Sequence, residues 1–170
     1  MRRPVEGEFA PYFEHYISLT RGANILQNLE DSTLDLVELL VELPEEKYNY
    51  AYEDGKWTIL QMLRHVIDVD MVFTYRALNL LRNEGGALPG FDHLLWAENS
   101  LKGKLNFQAL LNEFKAFRAF AMQFFAGLEG DQWENHGEVS GNNTSVLSIP
   151  FIMSGHVLHH AEIIRSRYMD

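Results

Sequence analysis

The sequence predicts an all-α protein, a four-helix bundle with a short N-terminal helical arm. Three observations predict it. Apolar residues recur at helical spacing in four long segments. Gly, Pro and Asn punctuate the chain between those segments, and no stretch alternates as a half-buried strand would. A chain of 170 residues, 46% hydrophobic and 22% charged, suits one domain with one core, spanning 1–170.

The arm, from Glu8 to Leu19, carries Phe9, Tyr12, Phe13 and Tyr16 and reads as a short helix or packed lead-in. The first long helix follows Gly22 and Asn24, with Leu26, Leu29, Leu36 and Leu40 in its stripe, and Pro44 stops it. A tyrosine-rich connection (Tyr48, Tyr50, Tyr52) closes at Asp54-Gly55. The second helix begins at Thr58, a good N-cap, and runs to about Asn83 on Ile59, Met62, Val66, Val69, Phe73 and Leu80. The stretch from Gly85 to Gly103 reads as a loop. Leu105 to Leu128 is the third helix, rich in phenylalanine. A polar connection carries Trp133, His136 and Gly141-Asn142-Asn143. The last helix starts near Ser145 or Ser148, tolerates or kinks at Pro150, and ends at Tyr168. The pattern reads as an antiparallel-type bundle. The long connections after the first and third helices predict one or two crossovers.

Composition excludes several classes of function. The net charge of −10 argues against nucleic acid, which favours a basic face. There is no cysteine, so disulfides, thiolate ligands and cysteine nucleophiles are out, and any metal site must use His and carboxylate. The longest apolar run, Ser145 to His156, is too short to span a membrane and contains Pro150. Met1-Arg2-Arg3-Pro4 has no apolar stretch after it, so it does not read as a secretory signal. The expectation is a cytoplasmic protein with no membrane partner.

The chemistry concentrates in Gly155-His156-Val157-Leu158-His159-His160. His156 and His160 are four apart and project from one helix face. His65 sits in the second helix, at the edge of its apolar stripe. A lone histidine there is more often a satisfied core or boundary residue, and an H-x3-H pair is often only a polar face. Together, two histidines from one helix and one from another make a three-histidine site with a position open for water or substrate. Asp68, three residues after His65, is a candidate fourth ligand, an acceptor behind a ligand, or a general base. His159 points about 100° away around the helix and reads as a surface residue or alternative ligand. His93 and His136 fall in loops and read as solvent-exposed residues or, alternatively, as lining a pocket mouth; His15 shows no partner. No G-x-S-x-G, Walker A, G-x-G-x-x-G or H-E-x-x-H motif is present.

These residues resemble the DinB-like (DinB/YfiT) superfamily. The resemblance is carried by Lys56-Trp57-Thr58-Ile59, His65 and Asp68, Tyr75-Arg76-Ala77-Leu78, Pro89-Gly90-Phe91, Glu113-Phe114, Arg118, Gly155-His156-x-x-His159-His160 and Arg167-Tyr168. It covers nearly the whole chain. It implies a four-helix bundle holding a divalent metal, Zn or Ni, on His65, His156 and His160. It also implies a homodimer. Relatives include S-transferases that use low-molecular-weight thiols, a maleylpyruvate isomerase and proteins named as metal-dependent hydrolases. The expected function is thus a metal-dependent enzyme that activates a water or a thiol against a small-molecule substrate. Arg76 is expected either to hold an anionic group of that substrate or only to pair with a carboxylate such as Glu113. Trp57 and Trp96 are candidate pocket walls. A non-catalytic binding module and a metal-free structural dimer are the alternatives.

Overall fold

The structure is a computed structural model and describes residues 1–82, 85–100 and 106–169. The predicted limits at Asn83, Gly103 and Leu105 lie at or beyond the edges of those spans: Asn83, Gly103 and Leu105 themselves are outside the described residues. Six α-helices are present among the described residues: α1 Glu14–Leu19, α2 Ile25–Glu42, α3 Ile59–Arg82, α4 His93–Ser100, α5 Phe107–Ala126 and α6 Ser148–Arg167. The bundle is α2, α3, α5 and α6. None of the helices is long and apolar enough to cross a membrane.

The helix starts follow from side chains that occupy the first free N–H groups. Asn24 Oδ1 accepts from Gln27 N at 3.1 Å, and Asn106 Oδ1 from Ala109 N at 2.9 Å. At α3, Thr58 Oγ1 accepts from Gln61 N while Gln61 Oε1 accepts from Thr58 N, a reciprocal cap. Pro150 falls in the first turn of α6, where its missing N–H breaks no intrahelical bond.

Helix α2 packs on α5 and α6, and so does α3. The successive helices α2 and α3 therefore lie across one diagonal, and α5 and α6 across the other. The two long connections expected as crossovers make these diagonal passages. The core forms two clusters. Leu29 of α2, Phe73 of α3, Phe125 of α5 and Ile152 of α6 belong to one; Leu40, Leu63, Leu111 and Ile164 of the same helices belong to the other. Along the chain, α2 and α6 pass from the first cluster to the second, and α3 and α5 pass back. Neighbours α2 and α6 thus run in the same direction, as do α3 and α5, which corrects the simple antiparallel expectation. Each buried Leu or Phe contributes about 1.5–3 kcal/mol.

A polar belt lies between the clusters: Ser32 on α2, Asp70 on α3, Arg118 on α5 and Ser154 and His156 on α6, all buried. Arg118 is completely buried. It donates to Leu29 O (2.9 Å), Ser32 Oγ (2.7 Å), Thr33 Oγ1 (2.8 Å) and Asp70 Oδ2 (3.3 Å), so one side chain ties three helices.

Two elements depart from the sequence reading. Part of the predicted loop, His93–Ser100, is helix α4, started by Asp92, whose Oδ1 accepts from Leu94 N and Leu95 N at 3.0 Å each. The polar connection forms an antiparallel hairpin, β1 His136–Val139 with β2 Asn142–Ser145. Its two-residue turn, Ser140-Gly141, has positive φ at both positions (52° and 77°), which suits the right-handed twist of the strands. The hairpin also binds the segment before α4, through Leu88 N to Glu138 O (2.9 Å) and Ser140 N to Leu88 O (2.8 Å).

Candidate metal centre

His65 comes from the second turn of α3, and His156 and His160 from successive turns of α6. The first ten residues of α6 are all buried, so its apolar face is not a stripe but the whole circumference. The two histidines are carried inside with it. All three are nearly shut from solvent, at 8%, 5% and 6% exposure.

Their ring nitrogens converge. His156 Nε2 lies 3.1 Å from His65 Nε2 and 3.1 Å from His160 Nε2. Ligand atoms of the three all fall within 4.8 Å of one another. Burial lowers the pKa of each ring, to about 4 at His65 and well below the ordinary value at His156 and His160, and mutual repulsion among the rings adds to it for the last two. They are therefore neutral imidazoles at pH 7. A neutral imidazole has one N–H, so at most one proton can bridge any pair of these nitrogens, and three facing lone pairs are not satisfied that way. One cation satisfies all three. Two nitrogens bound to Zn2+ at about 2.0–2.1 Å sit roughly 3.4 Å apart at the tetrahedral angle, within a few tenths of the spacing here. The residues fit a divalent metal.

The surroundings aim the rings by packing. His156 Nδ1 and His160 Nδ1 are buried without hydrogen-bond partners among the described residues. Instead Tyr16 lies 5.5 Å from the His156 ring, edge-on, and Trp57 lies 4.6 Å from His65 and 6.5 Å from His160. Trp57 is anchored from the far end of the chain: the buried Tyr168 donates its hydroxyl to Trp57 O at 2.5 Å. Tyr16 reaches His156 because Gly155 lets α1 touch α6. A Cβ at Gly155 would stand 1.9 Å from Tyr16 O and 2.3 Å from its carbonyl carbon.

The histidines open on a cavity of about 450 Å³, within the range of small-molecule sites. Its walls include Tyr12, Tyr16, Trp57, Phe73 and Phe91. Arg76 also lines it, almost buried at 4% exposure. His93 and His159 line it too. His93, at the start of α4, is 5.9 Å from the His65 ring; His159 turns toward His15 (5.6 Å) and Tyr16 (5.3 Å).

Several candidate residues go elsewhere. Asp68 does not line the cavity. Its Oδ1 takes Arg64 Nε at 2.9 Å, on the side of α3 that faces α5, and Arg64 also holds Glu113 at 2.9 Å. Burial raises the Asp68 carboxyl pKa against the pull of Arg64. Glu113, the expected carboxylate for Arg76, is thus spent on Arg64. Arg76 instead donates to Pro89 O (3.2 Å) and Ser140 Oγ (3.1 Å). Trp96 packs on Phe91 and does not line the cavity, and His136 lies on the exposed hairpin. Sequence reasoning missed the Asp70–Arg118 pair and Ser140. A carboxylate directly following Val69 in the core stripe was the available signal for the first; the second had none.

Comparison with known proteins agrees with this architecture. The DinB superfamily profile matches residues 28–164. A protein of Oceanobacillus iheyensis named "putative metal-dependent hydrolase" is 31% identical over 72 residues, 42% of this chain and 42% of that relative. The match therefore spans less than half the length of that relative. YfiT from Bacillus subtilis, described as "a probable metal-dependent hydrolase with an unusual four-helix bundle topology", superposes with a TM-score of 0.73 over 96% of this chain and 92% of its own, at 18% identity. At that identity the likeness shows the fold. The profile match over most of the length settles the family: the chain belongs to the DinB superfamily.

Proposed function

We propose that the protein binds one divalent metal ion through His65, His156 and His160 and uses it to attack a small-molecule electrophile with water or a low-molecular-weight thiol. The observation that carries this is the convergence of three buried, neutral imidazoles at the wall of a cavity. The names of the two relatives support the hydrolytic form. Held by these three neutral ligands, a divalent ion would supply Lewis acidity beside the cavity.

The chain's own residues have separable tasks. The histidines hold the ion without cancelling its charge. Trp57, Tyr16 and Phe91 wall the reacting centre from bulk water, which strengthens electrostatic interactions inside. His93 lines the cavity at its exposed edge and is placed to pass protons between the cavity and solvent at a ring nitrogen. Asp68 has no such task, because it is engaged with Arg64. Zn and Ni both suit an all-imidazole set. The homodimer expected from the resemblance finds support in apolar side chains exposed on adjacent helices, Tyr75 and Leu78 of α3 and Phe120 of α5.

The test is turnover by metal-loaded and chelated protein of an activated ester in water, and of an aryl halide electrophile with glutathione or bacillithiol. Metal-dependent turnover without thiol selects hydrolysis; turnover only with thiol selects transfer. Chelation is expected to lower either rate at least about a hundredfold. Rates unchanged by chelation would contradict the proposal.

A further inference from the structure

We propose that Arg76 and Ser140 form an anion subsite in the histidine cavity, which fits it for small substrates that carry a carboxylate on an aromatic or apolar body. The inference deepens the proposed function and rests on the cavity being where substrate binds.

The first observation is an unspent cation. The guanidinium of Arg76 is almost buried, yet no carboxylate pairs with it among the described residues. Both of its hydrogen bonds leave from Nη2, to Pro89 O and Ser140 Oγ. Nε and Nη1 donate to nothing among the described residues. A buried charge without a counter-charge is costly. The other buried arginine, Arg118, is completed by Asp70 and three neutral oxygens, so the bundle does complete a buried arginine where only structure is at stake.

The second observation is the charge of the cavity. In a chain of net charge −10, none of the residues that line it is Asp or Glu, and Arg76 is the one permanent cation among them. A divalent ion on neutral ligands would add to that positive field. The third observation is Ser140. It sits at φ 52° in the hairpin turn, a position where glycine is easier, and it lines the cavity. Its oxygen accepts from Arg76, and its own hydroxyl proton has no acceptor among the described residues. Arg76 and the exposed Ser140 thus both line the cavity and keep N–H and O–H donors with no acceptor among the described residues, the donor set that a carboxylate takes. The body of the ligand meets rings: the Arg76 guanidinium carbon lies 5.0 Å from the Phe73 centroid and 5.6 Å from that of Phe91, with Trp57 and Tyr12 on the other walls.

A purely structural Arg76 would stitch the hairpin and the segment before α4 onto α3. The two roles separate with probes of equal shape and different charge. Full-length protein, stripped of metal with a chelator so that no ion contributes, is titrated with benzoate and with benzamide at fixed ionic strength, read by tryptophan fluorescence and calorimetry. Benzoate is expected to bind at least about tenfold more tightly than benzamide, the range of a charge-assisted hydrogen bond. Arg76→Gln should remove that preference, and Arg76→Lys should retain most of it. Ser140→Gly relaxes the turn, so it should keep or raise the Tm while weakening benzoate several-fold. If Arg76→Gln does not fold, Arg76→Lys, Ser140→Gly and the wild-type ratio decide. Equal binding of the two probes, no benzoate binding at 10-millimolar order, or a benzoate preference intact in folded Arg76→Gln would each overturn the proposal. Because the metal is absent throughout, failure here leaves the metal centre standing, and failure of the metal centre leaves this result readable.

Discussion

His65, His156 and His160 would be expensive residues in an apolar interior if they carried charge. Burial keeps them neutral, and that has a consequence for pH. In the unfolded chain each titrates near 6.5; folded, His65 titrates at about 4 and the other two well below 6.5. Between those values the unfolded state binds protons that the native state refuses, so the metal-free protein loses stability as pH falls from 6.5 toward 4. Asp70 and Asp68 work in the opposite direction, since burial raises both carboxyls against the pull of Arg118 and Arg64, to about 6 at Asp70, but they are two groups against the three histidines and His159, which burial also lowers. The same neutrality governs metal uptake. At pH 6, three ordinary histidines would release about two protons per ion bound. These three are expected to release fewer than about half a proton. Calorimetric titration with Zn2+ at pH 6 in two buffers of different ionisation enthalpy measures that number. Release of two protons would mean that the rings are not held neutral.

At the scale of elements, the centre depends on how α1, α6 and the tyrosine-rich connection meet. Gly155 is the narrow point. Any side chain there collides with the Tyr16 backbone, so α1 must lift from α6 and Tyr16 must leave His156. Gly155→Ala is expected to cost about 1–3 kcal/mol, the range for overpacking, and to weaken metal binding along with stability. Gly127→Ala, where an added Cβ meets only ordinary contacts at 3.6 and 3.7 Å, should change stability much less, by about 1 kcal/mol or below. Thermal melts and metal titrations of the two variants make the comparison. A Gly155→Ala protein that melts with the wild type would contradict the close approach. The sequence made this glycine visible by placing it beside His156, but not the partner it touches, because Tyr16 is 139 positions away in the chain.

At the scale of the molecule, the four bundle helices and the histidine triad were legible, and the reasons are physical. Long amphipathic helices write their period into the sequence, as α3 does from Ile59 to Leu80. Histidines in apolar runs stand out because they are costly there. What was hidden depends on short or non-local features. Helix α4 has Leu94, Leu95 and Trp96 exposed in succession, so no stripe marks it. The hairpin strands are mostly polar, with Val139 and Thr144-Ser145 facing inward, too few to show alternation. Helix directions follow from which cluster each helix half joins, which periodicity does not carry. Glu113, named as one possible partner of Arg76, pairing with Arg64 is of the same kind: periodicity does not say which arginine a carboxylate on another helix meets. These hidden features, the hairpin above all, complete the cavity around a centre that the long helices had already fixed.

That centre is tested most directly by metal analysis of untagged protein, purified without a metal-affinity column, dialysed and measured by mass spectrometry for ions per chain. About one divalent ion per chain is expected in the wild type and in His159→Ala, and less than about a tenth of that in His65→Ala and His160→Ala with helical circular dichroism retained. No metal in the wild type, or a full ion in either of the last two variants, would contradict it.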